Sequence, residues 1–153
     1  MPRNREESKG LKIALHYIKF RPRSILEVKE KLRQRKISQP TIEKIIEKLQ
    51  AEKILDEALF AKLWVESRMN IKPMGKQLLT FELIKKGLER EMIDSALIAA
   101  GYDENQQAKE AAERKMRAYK KYQGEQFFQK MAGFLNRRGF GYEIIKETIN
   151  EMK

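Results

Sequence analysis

The chain of 153 residues has no cysteine and a single histidine, His16. Disulfides and thiolate metal sites are thereby excluded, and the composition suits a reducing compartment, so a cytoplasmic location is expected. A metal site would need carboxylates alone. The acidic pairs Asp56-Glu57 and Asp103-Glu104 stand where helices are predicted to begin, a place where carboxylates satisfy free amides and the helix dipole. His16 has no partner in the sequence to make it a general base. No phosphate-cradling G-x-x-x-x-G-K-[ST] loop and no G-x-S-x-G elbow occurs. No apolar run approaches the roughly 20 residues of a membrane span. The expectation is a binding protein with no catalytic residue, no cofactor, no metal and no membrane partner. The opening, Met1 to Gly10, is polar and has no apolar core of a signal peptide, so residues 1–10 are expected to be a flexible basic arm.

Strand-like alternation is also missing. What the chain has instead is amphipathic helical periodicity, with 41% hydrophobic and 36% charged residues, too apolar for a disordered chain. Apolar positions 11, 14, 15 and 18 mark a first short helix, ended by Arg21-Pro22 because a residue before proline is pushed out of the helical region. Ser24 and Glu27 form a predicted capping box for the second helix, carried inward by Ile25, Val28 and Leu32. Ser38 is placed to cap a third, with Ile42, Ile45, Ile46 and Leu49 on its apolar side.

The same three-helix grammar then recurs. Leu32-Arg33-Gln34-Arg35-Lys36-Ile37, Leu83-Ile84-Lys85-Lys86-Gly87-Leu88 and Leu135-Asn136-Arg137-Arg138-Gly139-Phe140 are separated by 51 and 52 residues. After the last residue of each phrase the apolar offsets repeat: Ile42-Ile45-Ile46-Leu49, Ile93-Ala96-Leu97-Ala100, and Ile145-Thr148-Ile149-Met152, with one polar member. The fold class is therefore all-α: three tandem three-helix repeats, 11–54, 55–102 and 103–153, forming an elongated array in which each unit buries part of its core against its neighbours. Trp64, Phe60, Phe128 and Phe134 fall at core phase and are read as packing residues rather than base-stacking platforms.

The net charge is +11, and it is uneven. Residues 1–54 hold fifteen Lys/Arg against seven Asp/Glu, whereas residues 55–102 hold seven of each. Such a chain is drawn to polyanions. Arg21, Arg23, Lys29, Arg33, Arg35 and Lys36 cluster on or beside the second helix, and positions 29, 33 and 36 share a helical face. Reversing Arg21, Arg23, Lys29 and Arg33 is expected to weaken binding with little loss of stability. Lys72 and Lys76 flank a helix start suited to phosphate. Lys85-Lys86 and Arg137-Arg138 lie in last turns, where cations also favour the helix carbonyls. With Arg68, these make a candidate partner-binding or DNA-binding set: Arg21, Arg23, Lys29, Arg33, Lys36, Arg68, Lys72, Lys76, Lys85, Lys86, Arg137 and Arg138. On the residues alone, a helical protein acting directly on single-stranded or duplex DNA is one reading.

A second reading comes from resemblance. Arg23-Ser24 with Glu27 and Leu32, then Leu55-Asp56-Glu57-Ala58-Leu59-Phe60-Ala61 with Glu66-Ser67-Arg68, then Gly75, Leu83 and Lys86-Gly87, then Phe134-Leu135 and Arg138-Gly139-Phe140 follow one another in an order that resembles the RecX regulatory proteins. The resemblance covers about residues 11 to 152. It departs at Glu57, where aspartate is commoner, and at Leu59, where arginine is common. It implies a non-enzymatic regulator that binds the RecA recombinase filament along its groove and lowers its ATPase and strand-exchange activity, with a place in DNA repair, recombination and the SOS response; a monomer is expected. Some such proteins also bind DNA. Arg68 and Gly75 match central motif positions.

Overall fold

The computed structural model describes residues 2–152, which form nine helices and, among the described residues, no strand. In order these are α1 (Pro2–Phe20), α2 (Ile25–Gln34), α3 (Gln39–Ala51), α4 (Glu57–Ile71), α5 (Lys76–Lys85), α6 (Arg90–Ala99), α7 (Glu104–Tyr119), α8 (Gly124–Arg137) and α9 (Tyr142–Glu151). The caps explain several starts. Ser24 and Glu27 form a complete capping box: the Glu27 N–H donates to Ser24 Oγ at 3.2 Å and the Ser24 N–H donates to Glu27 Oε1 at 3.0 Å. Asp56 accepts from the Leu59 N–H at 3.0 Å, and Asp103 accepts from the Gln106 N–H at 3.3 Å. Ser38 caps α3 by position only. Its hydroxyl meets Thr41 Oγ1 at 3.0 Å, and its N–H donates to the Glu6 carboxylate.

That last contact corrects the expectation for residues 1–10. The helix expected to begin at Leu11 begins at Pro2, and the flexible arm is its first half. Glu6 reaches the start of α3, and Gly10 is buried with Ile37 and Ile45 beside it. A polar segment is held here by one side of a helix rather than by its composition.

Each unit has its own core. Ala14, Val28, Leu32, Ile42, Ile45 and Leu49 lie in the first, Phe60, Val65, Leu79, Leu83 and Ile93 in the second, and Ala112, Met131, Leu135 and Ile149 in the third. Leu55, expected to open unit two, packs into the first cluster, because its N–H donates back to the Leu49 carbonyl at 3.1 Å. The cores do not merge, which differs from the expectation that neighbours share them. The units meet through narrow polar and backbone joints, and no hydrogen bond or ion pair among the described residues joins the first unit to the third.

The repeated phrase makes these joints. All three middle helices end in the same way. Ile37, Leu88 and Phe140 each donate an N–H to the carbonyl five residues back, at 3.0, 3.1 and 3.2 Å, and the preceding residue has positive φ: Lys36 62°, Gly87 90°, Gly139 89°. A Cβ on Gly87 would lie 2.7 Å from Leu26 Cβ of unit one, and one on Gly139 would lie 2.3 Å from Leu78 Cβ of unit two. Glycine at these turns thus serves two needs, the left-handed backbone and contact with the preceding unit. Lys36 is exposed and has the first need only. A lysine there carries backbone strain that glycine would relieve, so Lys36→Gly is expected to stabilise by ~0.5–1 kcal/mol net of glycine's greater unfolded-state freedom. Thermal melting should rise by roughly 1–4 °C for a chain of this size. A fall would show that the Lys36 side chain holds the turn.

A second repeated element completes the joints. In the first two units the first N–H of the middle helix is satisfied by the glutamate that opens the first helix of the next unit. The Ile25 N–H donates to Glu57 Oε1 at 3.1 Å, and the Lys76 N–H donates to Glu104 Oε2 at 2.9 Å. These amides lack a partner within their own helix.

Candidate cationic interface

The structure separates the twelve candidate cations into two groups. The first is held by carboxylates or carbonyls within a unit or at a joint. Glu27, whose side chain is 9% exposed, faces Arg21, Arg23 and Lys86. Arg21 pairs with its carboxylate directly, Lys86 reaches it from unit two at 3.3 Å, and Arg23 lies 4.0 Å away. Arg23 also donates to the Tyr17 carbonyl at 3.0 Å, and its guanidinium rests 3.7 Å from the Tyr17 ring centroid. Burial alone would raise the Glu27 carboxyl. The hydrogen bonds from Arg21 and the Ser24 N–H, with the charges of Lys86 and Arg21, outweigh it and hold the group below the usual carboxylate range. Arg68 forks onto Glu82 through two bonds of 3.1 Å, and the same carboxylate accepts from Trp64 Nε1 at 3.0 Å. Arg138 donates to the Pro73 carbonyl at 3.0 Å and its own carbonyl accepts from the Gly75 N–H at 2.7 Å, so it closes the joint of units two and three. Because of these contacts, reversal of Arg21 and Arg23 is now expected to lower stability, whereas the sequence alone led to the expectation of little effect.

The second group is more open but scattered. Lys29 is half-buried beside Glu57, Arg33 is exposed with Nε 3.4 Å from Gln39 Oε1, and Lys72 and Arg137 are exposed. Lys76 lies 3.9 Å from Asp94, and Lys85 lies 4.8 Å from the Phe81 ring centroid. Lys36 follows the end of α2 in a left-handed turn, so positions 29, 33 and 36 do not share one helical face.

A different set of cations comes together. Lys12, Ile13, His16, Tyr17 and Phe20 of α1, Lys31 of α2 and Arg35 at the C-cap of α2 line a groove of about 560 Å³ with no acidic residue on its walls. The α1 members recur at helical spacing, and Lys31 and Arg35 are one turn apart, so each helix contributes one side. Phe20 is 69% exposed, and its ring meets His16 edge to face at 5.0 Å between centroids. Lys31 Nζ lies 5.3 Å from the Tyr17 ring centroid. Cations interleaved with open aromatic rings suit an anion that also carries flat or apolar groups. Of this set, sequence reasoning named only Arg35 as basic and left it outside the candidates. The available signal was that Leu11, Ala14 and Ile18 face the core, which turns 12, 16 and 20 outward. Among the described residues no cluster of histidine and carboxylates could hold a metal ion.

Comparison with known proteins bears on all three units. The family model described as RecX, first three-helix domain, matches residues 11–49, the second three-helix domain matches 56–97, and the third matches 102–149. The chain is similar to the regulatory protein RecX of Prosthecochloris aestuarii, at 35% identity over 144 residues, covering 94% of this chain and 93% of that one. It is 29% identical over 153 residues to the regulatory protein RecX of Bacillus cytotoxicus, covering 98% of this chain but 56% of the longer relative. The crystal structure of RecX from Lactobacillus salivarius superposes with a TM-score of 0.85 at 28% identity, covering 97% of both chains.

Proposed function

The chain belongs to the RecX family, and from that premise we propose that it binds the filament of the RecA recombinase and lowers its ATP turnover and strand exchange, acting as a cytoplasmic monomer without chemistry of its own. One observation supports this reading above the others. Three small cores stand in a row, joined by narrow contacts between neighbours only. A row of semi-independent units can lie along a polymer and touch several protomers, which one globule of the same mass cannot. The cationic groove of unit one suits the acidic surface of a protein–DNA filament, by steering as well as by contact.

The test is ATP turnover by RecA on single-stranded DNA over a titration of this protein. The expected result is a progressive fall to a plateau below half the starting rate. Unchanged turnover at saturating protein would sink the proposal. Binding measured beside it, to filament and to naked DNA over a range of salt, should be tighter for the filament and less steeply salt-dependent.

A further inference from the structure

Helix α4 is apolar on two sides. Phe60, Ala61 and Val65 enter the core of unit two, while Leu59 and Leu63, one turn apart, are 49% and 38% exposed. A helix apolar all round is ordinarily covered. Here the outer stripe forms one wall of a groove of about 430 Å³ that runs between units one and two. Phe20, 69% exposed, and Ile54, 41% exposed, line the same groove. Ile54 points out because the left-handed turn at Lys53, with φ 59°, sends the next residue, Leu55, into the core of unit one. Four large apolar side chains thus share one surface depression, a concentration that marks an interaction site.

The chemistry of the walls selects the occupant. Ile54, Leu59 and Leu63 are aliphatic, and aliphatic walls match protein side chains, whereas nucleic acid is gripped by stacking rings and cations. Lys19, Arg21 and Arg23 also line the groove; the two arginines already face Glu27, and Lys19 is the cation left to meet an acidic flank. The one acidic residue of the lining, Asp56, is engaged by the Leu59 N–H. Phe20 also lines the cationic groove, so the two depressions are neighbours on the surface. We infer that this groove holds an apolar, acid-flanked segment of the recombinase itself, making it the protein-reading part of the interface; the inference rests on the filament-binding reading above.

The test compares the full chain with Leu59→Ser/Leu63→Ser and, separately, Ile54→Ser, measuring melting temperature and affinity for both filament and naked single-stranded DNA. Ile98→Ser serves as a control, because Ile98 is 81% exposed on α6 and lies outside the groove. The double variant should lose filament affinity about tenfold or more, as truncation of buried interface anchors does. Ile54→Ser should lose affinity in the same direction, with melting close to that of the parent for both. Ile98→Ser and all DNA affinities should be unchanged. Equal filament affinity of parent and groove variants overturns the groove assignment alone. Equal losses on filament and naked DNA overturn it in favour of a nucleic-acid site. No filament binding by the parent overturns the filament reading and this inference together. If the double variant is unfolded, Ile54→Ser decides.

Discussion

Gly75→Ala should lower the melting temperature by roughly 6–12 °C and broaden the transition, corresponding to about 3 kcal/mol of overpacking at 2–4 °C per kcal/mol. The backbone conformation at Gly75 accommodates alanine, since φ is −76°. The effect comes from contact. A Cβ there would lie 2.1 Å from the Gly139 carbonyl oxygen, 2.2 Å from its carbon and 2.4 Å from the Phe140 nitrogen. All three are backbone atoms, so no side chain can turn aside. The joint of units two and three must open, and with it go the 2.7 Å bond from the Gly75 N–H to the Arg138 carbonyl and the Arg138 bond to Pro73. Because the cores on either side are separate, opening the joint uncouples them, and broadening follows from lost cooperativity. Gly101→Ala is the comparison. Its φ is 68°, but nothing lies within 4 Å of the added carbon. Only the cost of a left-handed alanine, about 1 kcal/mol, applies there. Equal shifts for the two variants in scanning calorimetry would show that the close approach at Gly75 relaxes without opening the joint.

The contrast between these glycines marks what the sequence made legible. Helix starts depend on a few neighbouring residues, and Ser24 with Glu27, and Asp56, behave as their local pattern predicts. The three-unit organisation was visible because the spacing of the middle-helix ends repeats. What local pattern could not reveal is contact across units. Gly87 and Gly139 stood out as members of the repeated phrase, but their contacts with Leu26 and Leu78 reach residues 61 positions away. Arg21, Arg23 and Lys86 looked like free positive charge because Glu27 was read as a cap and nothing more. Its second role depends on Lys86 arriving from the next unit. The cationic groove was missed for the same kind of reason, since its walls come from two helices whose relative rotation the sequence does not state. The family resemblance suggested the partner proposed above, and the geometry shows where charge and apolar surface lie open.

Glu27 gives the second large effect, because one carboxylate serves a cap, a unit and a joint. Glu27→Gln keeps the shape and can still accept the Ser24 N–H, but it leaves Arg21, Arg23 and Lys86 facing one another without a counter-charge. Losing one partner of a well-buried ion pair costs roughly 3–5 kcal/mol. Arg21 is 41% exposed and Lys86 29%, so water relieves part of that, and about 2 kcal/mol at neutral pH is expected. Melting should fall by roughly 4–8 °C. The pH dependence identifies the cause. A carboxyl held below its ordinary value in the folded chain contributes stability that is present above the unfolded value, 4.5, and is lost as pH falls through the folded value. Glu57 has the opposite sign: burial raises it despite the bond from the Ile25 N–H, so it opposes folding above pH 4.5 and ceases to do so in acid. Acid titration of the parent mixes the two. The difference between parent and Glu27→Gln isolates Glu27, and it should shrink steadily below pH 4.5 while staying constant between pH 6 and 8, where about full ionisation holds. A difference that persists unchanged at pH 3 would assign the loss to shape at the joint and remove the ion pairs from the account.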